Sequence, residues 1–377
     1  MTEKQNLRES YLPTHDEAAR HAFVGALKGY VNGPLEQRLG EEYSSRLAPD
    51  FERAQGHSPR DRDEGASAFA HSHRYQLWGA SVFTSQDLMW ETVGETCERV
   101  LPAFVECRAA LESGSKLGRL ELDTELRLPE PIRDIEIHRQ PGGYFDSQVE
   151  EGLLTGLKYF GTIELYRNAK GLGTGVQVGE PGMGRYLLGA LKRRFPDLQP
   201  KRILDLGCGV GVETTAYKEA FPDAEVWGLD LSAPLLSFAH TWAEDCGHAI
   251  NFRQADARKT GFPDQHFDLI MSHILFHETW FDILPEIMRE AYRVLAPGGV
   301  FLNGDTPYQP ARLSIPKQVT NAWQVVNNGE PFWVGYADMN MRDELIAAGF
   351  DADKAFAEYD PLGQGEYHIF GGHKEAG

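Results

Sequence analysis

Basic side chains are in short supply: 37 Lys and Arg stand against 56 Asp and Glu in 377 residues, a formal net charge of −19. A field of that sign repels phosphate backbones and anionic lipid surfaces, so no nucleic-acid or membrane partner is expected. Cysteine is rare as well. Cys97, Cys107, Cys208 and Cys246 make no C-x-x-C pair and no zinc-like spacing, and they fit free thiols in a reducing compartment. Nowhere does an apolar run approach the roughly eighteen residues of a spanning helix. The opening "MTEKQNLRESYLPTHDEAAR" lacks the apolar centre of a secretion signal. The expectation is a soluble, cytoplasmic protein.

What is present falls into regions of different texture. A chain of this length is long for one core, so a large domain with an appendage, or two domains, is expected. Residues 1–145 read as a mostly helical region serving as a substrate lid or a homodimer contact. "DEAARHAFVGALKGYV" and "SQDLMWETVGETCERVLPAFVECRAALESG" carry apolar residues at helical spacing. In the second, Leu88, Val93, Cys97, Val100, Leu101, Phe104 and Val105 approximate one stripe, and Gly114 is its stop. "GHSPRDRDEGAS" (56–67) reads as a loop. "GRLELDTELRLPEPIRDIEIHRQPGGY" alternates at period two before Pro-Gly-Gly, which predicts one or two short strands. Residues 146–199 read as a connecting segment that contributes to a pocket.

From residue 200 to 377 the texture is α/β. "RILDLG", "AEVWGLDL", "INFRQAD", "FDLIMSH" and "GGVFLNGD" are strands separated by helical stretches such as "VETTAYKEAF" and "ILPEIMREAYRVL". Such alternation predicts a parallel sheet covered on both faces. "KAFAEYD" and "EYHIFGGH" have no helix between them, which predicts an antiparallel terminal hairpin at a sheet edge. Residues 306–337 interrupt this order as an irregular insertion after a strand's C-terminal end, expected as a substrate lid or a packing arm.

The most informative stretch is "ILDLGCGVGVET" (203–214), a buried strand that turns through Gly207, Gly209 and Gly211 into a helix. Val212 stands where a dinucleotide-binding loop would place its third glycine, so the pyrophosphate fingerprint is not met. Asp230 ends the second strand, where a carboxylate can accept from ribose hydroxyls. Asp256 ends the third, within reach of an exocyclic adenine amine.

This ordered set resembles the class I S-adenosylmethionine-dependent methyltransferases: "LDLGCGVG", "GLDLS", "QADA", "FDLIMSHILFHE" and "VLAPGG" match successive motifs of that family. The resemblance implies a Rossmann-like seven-stranded sheet with S-adenosylmethionine as cofactor. It implies that Gly207, Cys208, Gly209 and Gly211 approach the methionine and ribose, and that Asp205 helps hold the amino group. Asp230 would take the ribose hydroxyls, Leu231 would pack on adenine, and Asp256 with Ala257 would read its edge. Ser272 would adjoin the reactive end. Tyr144 and Tyr159, with Phe160 and Tyr166, are candidates to close over the sulfonium.

"MSHILFHETW" (271–280) then lies at the fourth strand's exit. His273, His277 and Glu278 are the candidates for proton handling or substrate orientation. A metal is not expected: a shared helical face for His273 and His277 requires continuous helix, and H-E-x-x-H order is absent. The functional expectation is methyl transfer to oxygen or nitrogen of a small-molecule acceptor. Two alternatives remain open. One is cleavage of S-adenosylmethionine without methyl transfer, cyclising its aminobutyrate arm to azetidine-2-carboxylate and releasing methylthioadenosine. The other is a non-catalytic cofactor-binding subunit.

Overall fold

The computed structural model describes residues 7–130, 132–168, 182–306, 312–360 and 367–375. Of the connecting segment, 169–181 lie outside these, as do 307–311 of the insertion.

Among the described residues the sheet has eight strands: β1 (Leu120–Glu121), β2 (Arg202–Leu206), β3 (Glu225–Asp230), β4 (Ile250–Gln254), β5 (Phe267–His273), β6 (Leu295–Asp305), β7 (Ala355–Tyr359) and β8 (His368–His373). Their order is β1-β4-β3-β2-β5-β6-β8-β7. From β1 through β6 all pairings are parallel, while β8 runs antiparallel to both β6 and β7. The expected parallel core and terminal hairpin are both present. The expectation of seven strands is corrected to eight, because Leu120 and Glu121 of the N-terminal region pair with Phe252 and Arg253 at the edge of β4.

The central strands are apolar on both sides because both faces are covered. Leu204, Trp227, Ile270 and Phe301 pack toward the helices Leu284–Val294 and Met341–Ala348. Ile203, Val226, Leu269 and Leu302 pack on the opposite face, toward the helices Gly182–Arg194, Val212–Ala220 and Ala233–Asp245. In-register pairing of Leu206 with Leu229 and of Asp230 with Gln254 brings the strand ends to one rim.

The N-terminal region is helical, and its second predicted stretch lies within one 41-residue helix, His73–Ser113, ended at Gly114. Val93, Cys97, Val100 and Phe104 are buried against Leu157, Phe160, Phe238 and Trp242, so this helix and Leu153–Asn168 dock on the sheet's own helical layer. The loop expected at 56–67 is shorter than its composition suggested: Asp61 accepts from the Asp63 and Glu64 amides and starts the helix Arg62–Phe69.

Of the one or two short strands expected in the alternating stretch, β1 is the one present among the described residues, and the remainder passes through single turns at Ile132–Asp134 and Ile137–Arg139. Its apolar residues bury Ile132 and Ile137 against Phe332 of the insertion instead of building a ladder. The insertion itself is largely helical, over Ile315–Asn327 and Trp333–Ala337, with Pro316 in the first turn where a missing N–H costs nothing. Val319 joins Leu39, Phe69 and Trp78, so this insertion packs on the N-terminal helices. Among the described residues no helix is long and apolar enough to cross a membrane.

Candidate active site

At the rim, the Gly207 and Cys208 amides both donate to the Leu229 carbonyl, at 2.8 and 2.9 Å, tying the first turn to β3. Gly207, Gly209 and Gly211 have φ of +76°, +50° and +73°, a conformation that other residues reach only with strain. The Gly209 amide donates to Asp230 Oδ2 at 2.9 Å, and the Ser232 amide donates to Oδ1 at 2.8 Å. Burial pushes the Asp230 carboxyl above its ordinary pKa, and these backbone donors oppose that shift.

A cavity opens here, walled by the strand ends and by residues of the N-terminal region. Tyr144, Tyr159, Gly207, Gly209, Asp230, Leu231, Asp256, Ala257, His273 and Glu278 all reach its wall. Seven other sequence candidates do not, among them Phe160 and Tyr166, which pack in the cluster of Val93 and Trp242. Asp205 is turned inward and accepts from Thr214 Oγ1 at 2.5 Å, with burial raising its pKa to about 8. Cys208 packs under Gly228, Gly211 lies against Ala239 and Phe252, and Ser272 Oγ donates to the Leu206 carbonyl at 2.9 Å. His277 is buried behind the wall. Asp256 is on the wall, but both its oxygens accept from the Arg258 guanidinium.

Ile274 separates the two histidines at φ +47°, an outlier for a β-branched residue, with its N–H bound to the Gly304 carbonyl at 2.9 Å. His273 faces the cavity with Nδ1 3.8 Å from Glu213 Oε1, and burial lowers its pKa, leaving the ring neutral at pH 7. His277 faces the other way, Nδ1 to Asp305 Oδ1 at 2.5 Å. Burial opposes charge on His277, but the carboxylates of Asp305, Glu330 and Glu278 together outweigh it and lift the ring to about 9.

Three residues that sequence reasoning missed complete this corner: Asp305, His138 and Glu330. His138 Nε2 is 2.6 Å from Glu278 Oε1 and its Nδ1 is 2.7 Å from Glu330 Oε1. Its backbone is held at φ +53° from both ends. The amide donates to the Gly329 carbonyl, and the carbonyl accepts from Gln86 Nε2 and Trp90 Nε1, each at 2.8 Å. Asp305 had a local signal, a carboxylate closing "GGVFLNGD". His138 and Glu330 had none, since only tertiary folding brings them to β5.

Residues 203–299 match a family model described as a methyltransferase domain. The chain is 41% identical over 123 residues to a demethylmenaquinone methyltransferase of Thermus thermophilus, covering 32% of this chain and 55% of that protein. It is 34% identical over 122 residues to a fatty-acid O-methyltransferase of Mycolicibacterium smegmatis, covering 32% and 42%. Among solved structures, phosphoethanolamine N-methyltransferase 2 of Haemonchus contortus in complex with S-adenosyl-L-methionine aligns at 19% identity and a TM-score of 0.42, covering 52% and 55%. The chain spans about half the length of the curated relatives named here.

Proposed function

On the premise that residues 203–299 form a class I S-adenosylmethionine-dependent methyltransferase domain, we propose that this chain methylates oxygen or nitrogen of a small-molecule acceptor. The observation that carries the reading is the glycine turn, bonded through Gly209 to the Asp230 carboxylate, with Gly207, Gly209 and Asp230 in the wall of one cavity.

The residues present fit the cofactor. Where a Cβ at Gly209 would stand, the nearest atom is Tyr159 Cε1 at 3.8 Å, so a ligand can lie directly against the backbone. Asp230 accepts one backbone N–H on each oxygen and keeps lone pairs for two vicinal hydroxyls. Leu231 and Ala257 offer apolar faces to a planar base. S-adenosylmethionine, when bound, supplies an electrophilic methyl group on a cationic sulfonium.

The chain's own residues then position, enclose and deprotonate. Tyr144 and Tyr159 meet edge to face at 5.3 Å, and burial keeps both phenols protonated. Such rings suit a cation and exclude water. Their wall and the glycine turn hold acceptor and methyl group in line, and positioning of that kind is a large part of such catalysis. His273, neutral and on the wall, is the residue placed to take a proton from the acceptor atom.

The named relatives act on chemically unlike acceptors, so no single acceptor carries over. Incubating the purified chain with isotopically labelled methyl donor and a metabolite extract tests the reading. Label in a small molecule, with S-adenosylhomocysteine released, is expected. Label that never leaves the cofactor would defeat it. One observation favours the cyclising alternative: Ile132, Ile137, Tyr144 and Phe145 of the N-terminal region roof the cofactor end of the cavity. Methylthioadenosine formed from cofactor alone would select that reaction instead.

A further inference from the structure

We propose that His138, His277 and Glu278 form a binding site for a divalent first-row transition-metal ion, with Glu330 and Asp305 as outer carboxylates orienting the two imidazoles. One ligand atom from each of the three lies within 4.8 Å of the others. The ring nitrogens are arranged alike. Each Nδ1 is taken by its own carboxylate, His138 by Glu330 at 2.7 Å and His277 by Asp305 at 2.5 Å. Each Nε2 points to one shared oxygen, Glu278 Oε1, at 2.6 and 3.8 Å. Metal-bound histidines are held in this way, with the outer N–H on a carboxylate and the inner nitrogen free to ligate.

A second observation is independent of that pattern. Glu330 is 8% exposed, and among the described residues its Oε2 has no hydrogen-bond partner, although it lies 3.9 Å from His277 Nε2. An unsatisfied buried carboxylate oxygen is costly, and an ion or its bound water would supply the missing partner. The backbone is also committed: His138 is kept in the left-handed region by bonds to Gly329, Gln86 and Trp90.

Two imidazoles and a carboxylate suit zinc, iron, cobalt or manganese better than magnesium or calcium, which favour all-oxygen shells. Glu278 also lines the cavity, so the ion would stand in its wall. Four segments are involved, the N-terminal region, the exit of β5, the end of β6 and the insertion, and the site exists only where they dock. It does not depend on the methyl-transfer reading.

The full chain, stripped with chelator, is titrated with Co²⁺ by calorimetry and visible absorption, and with S-adenosylmethionine separately. One Co²⁺ per chain is expected, together with a rise in Tm of the unsubstituted protein. Affinity should fall at least about 10-fold in His138→Gln and in Glu278→Gln. It should be unchanged in the His71→Asn/His73→Asn double variant, whose imidazoles are exposed. Cofactor binding without stoichiometric Co²⁺ uptake overturns the metal site and leaves the methyltransferase reading standing. Co²⁺ uptake without cofactor binding does the reverse. Uptake indifferent to both ligand substitutions, or lost with His71 and His73, also overturns the site. If a ligand variant does not fold, the unsubstituted protein decides, and an unmoved Tm counts against the ion.

Discussion

Gly209 and Asp230, twenty-one residues apart, are joined by a 2.9 Å hydrogen bond from amide to carboxylate, so the glycine turn and the end of β3 set each other's position. Asp230→Asn keeps the shape and removes the charge. Hydrogen bonds to a charged group contribute about 1.5–3 kcal/mol, so S-adenosylmethionine affinity should fall by roughly 10- to 150-fold. Calorimetry reads this directly, and an unchanged Kd would remove Asp230 from the cofactor site.

His273 should separate chemistry from binding. His273→Asn is expected to lower kcat by about 10²- to 10⁴-fold while cofactor Kd stays within a factor of a few. Single-turnover methyl transfer with an identified acceptor makes the measurement. Equal losses in Kd and kcat would instead make His273 a packing residue.

Gly156 lies where the helix Leu153–Asn168 crosses Ala233–Asp245, and an added Cβ would stand 2.3 Å from Phe238 Cβ. Gly156→Ala should destabilise by about 1–3 kcal/mol through forced displacement of Phe238. Urea unfolding followed by tryptophan fluorescence should show the loss in one transition, because Phe238 belongs to the same cluster as Phe104 and Phe160.

Lys28 is buried with its ammonium 2.5 Å from Gln86 Oε1, and burial depresses its pKa from 10.5 to about 7. Between pH 7 and 10.5 the unfolded chain binds the extra proton, so this group makes the fold more stable as pH rises. Lys28→Met should therefore stabilise most at pH 7 and below, by up to roughly 3–5 kcal/mol less the lost hydrogen bond. The gain should shrink steadily toward pH 10.5. Denaturant midpoints of both proteins across that window give the comparison, and a gain independent of pH would contradict the depressed pKa of Lys28.

The strands of the core were legible because their signals are local: short apolar runs, most of them closed by a glycine turn or a carboxylate, and β5 by Ser272 and His273. Asp205 shows the limit of such signals. Its position near the end of β2 is as expected, yet Thr214 draws the side chain inward, a choice set by the helix that follows the glycine turn. The alternation before Pro-Gly-Gly predicted strands because period two records only which residues are buried. Here Ile132 and Ile137 are buried by Phe332, two hundred residues on, and not by a neighbouring strand. His277 was found by its motif and Asp305 had a strand-end signal, but their pairing and the His138–Glu330 pair were set by tertiary folding.

The two-residue strand β1 has a practical consequence for anyone dissecting this chain. Because Leu120 and Glu121 cover the outer edge of β4, removing the N-terminal region would leave Ile250–Gln254 with a bare row of amides and carbonyls. Such an edge invites pairing with other chains. A fragment starting near residue 200 should therefore self-associate, and the methyltransferase sheet is best handled with its appendage attached.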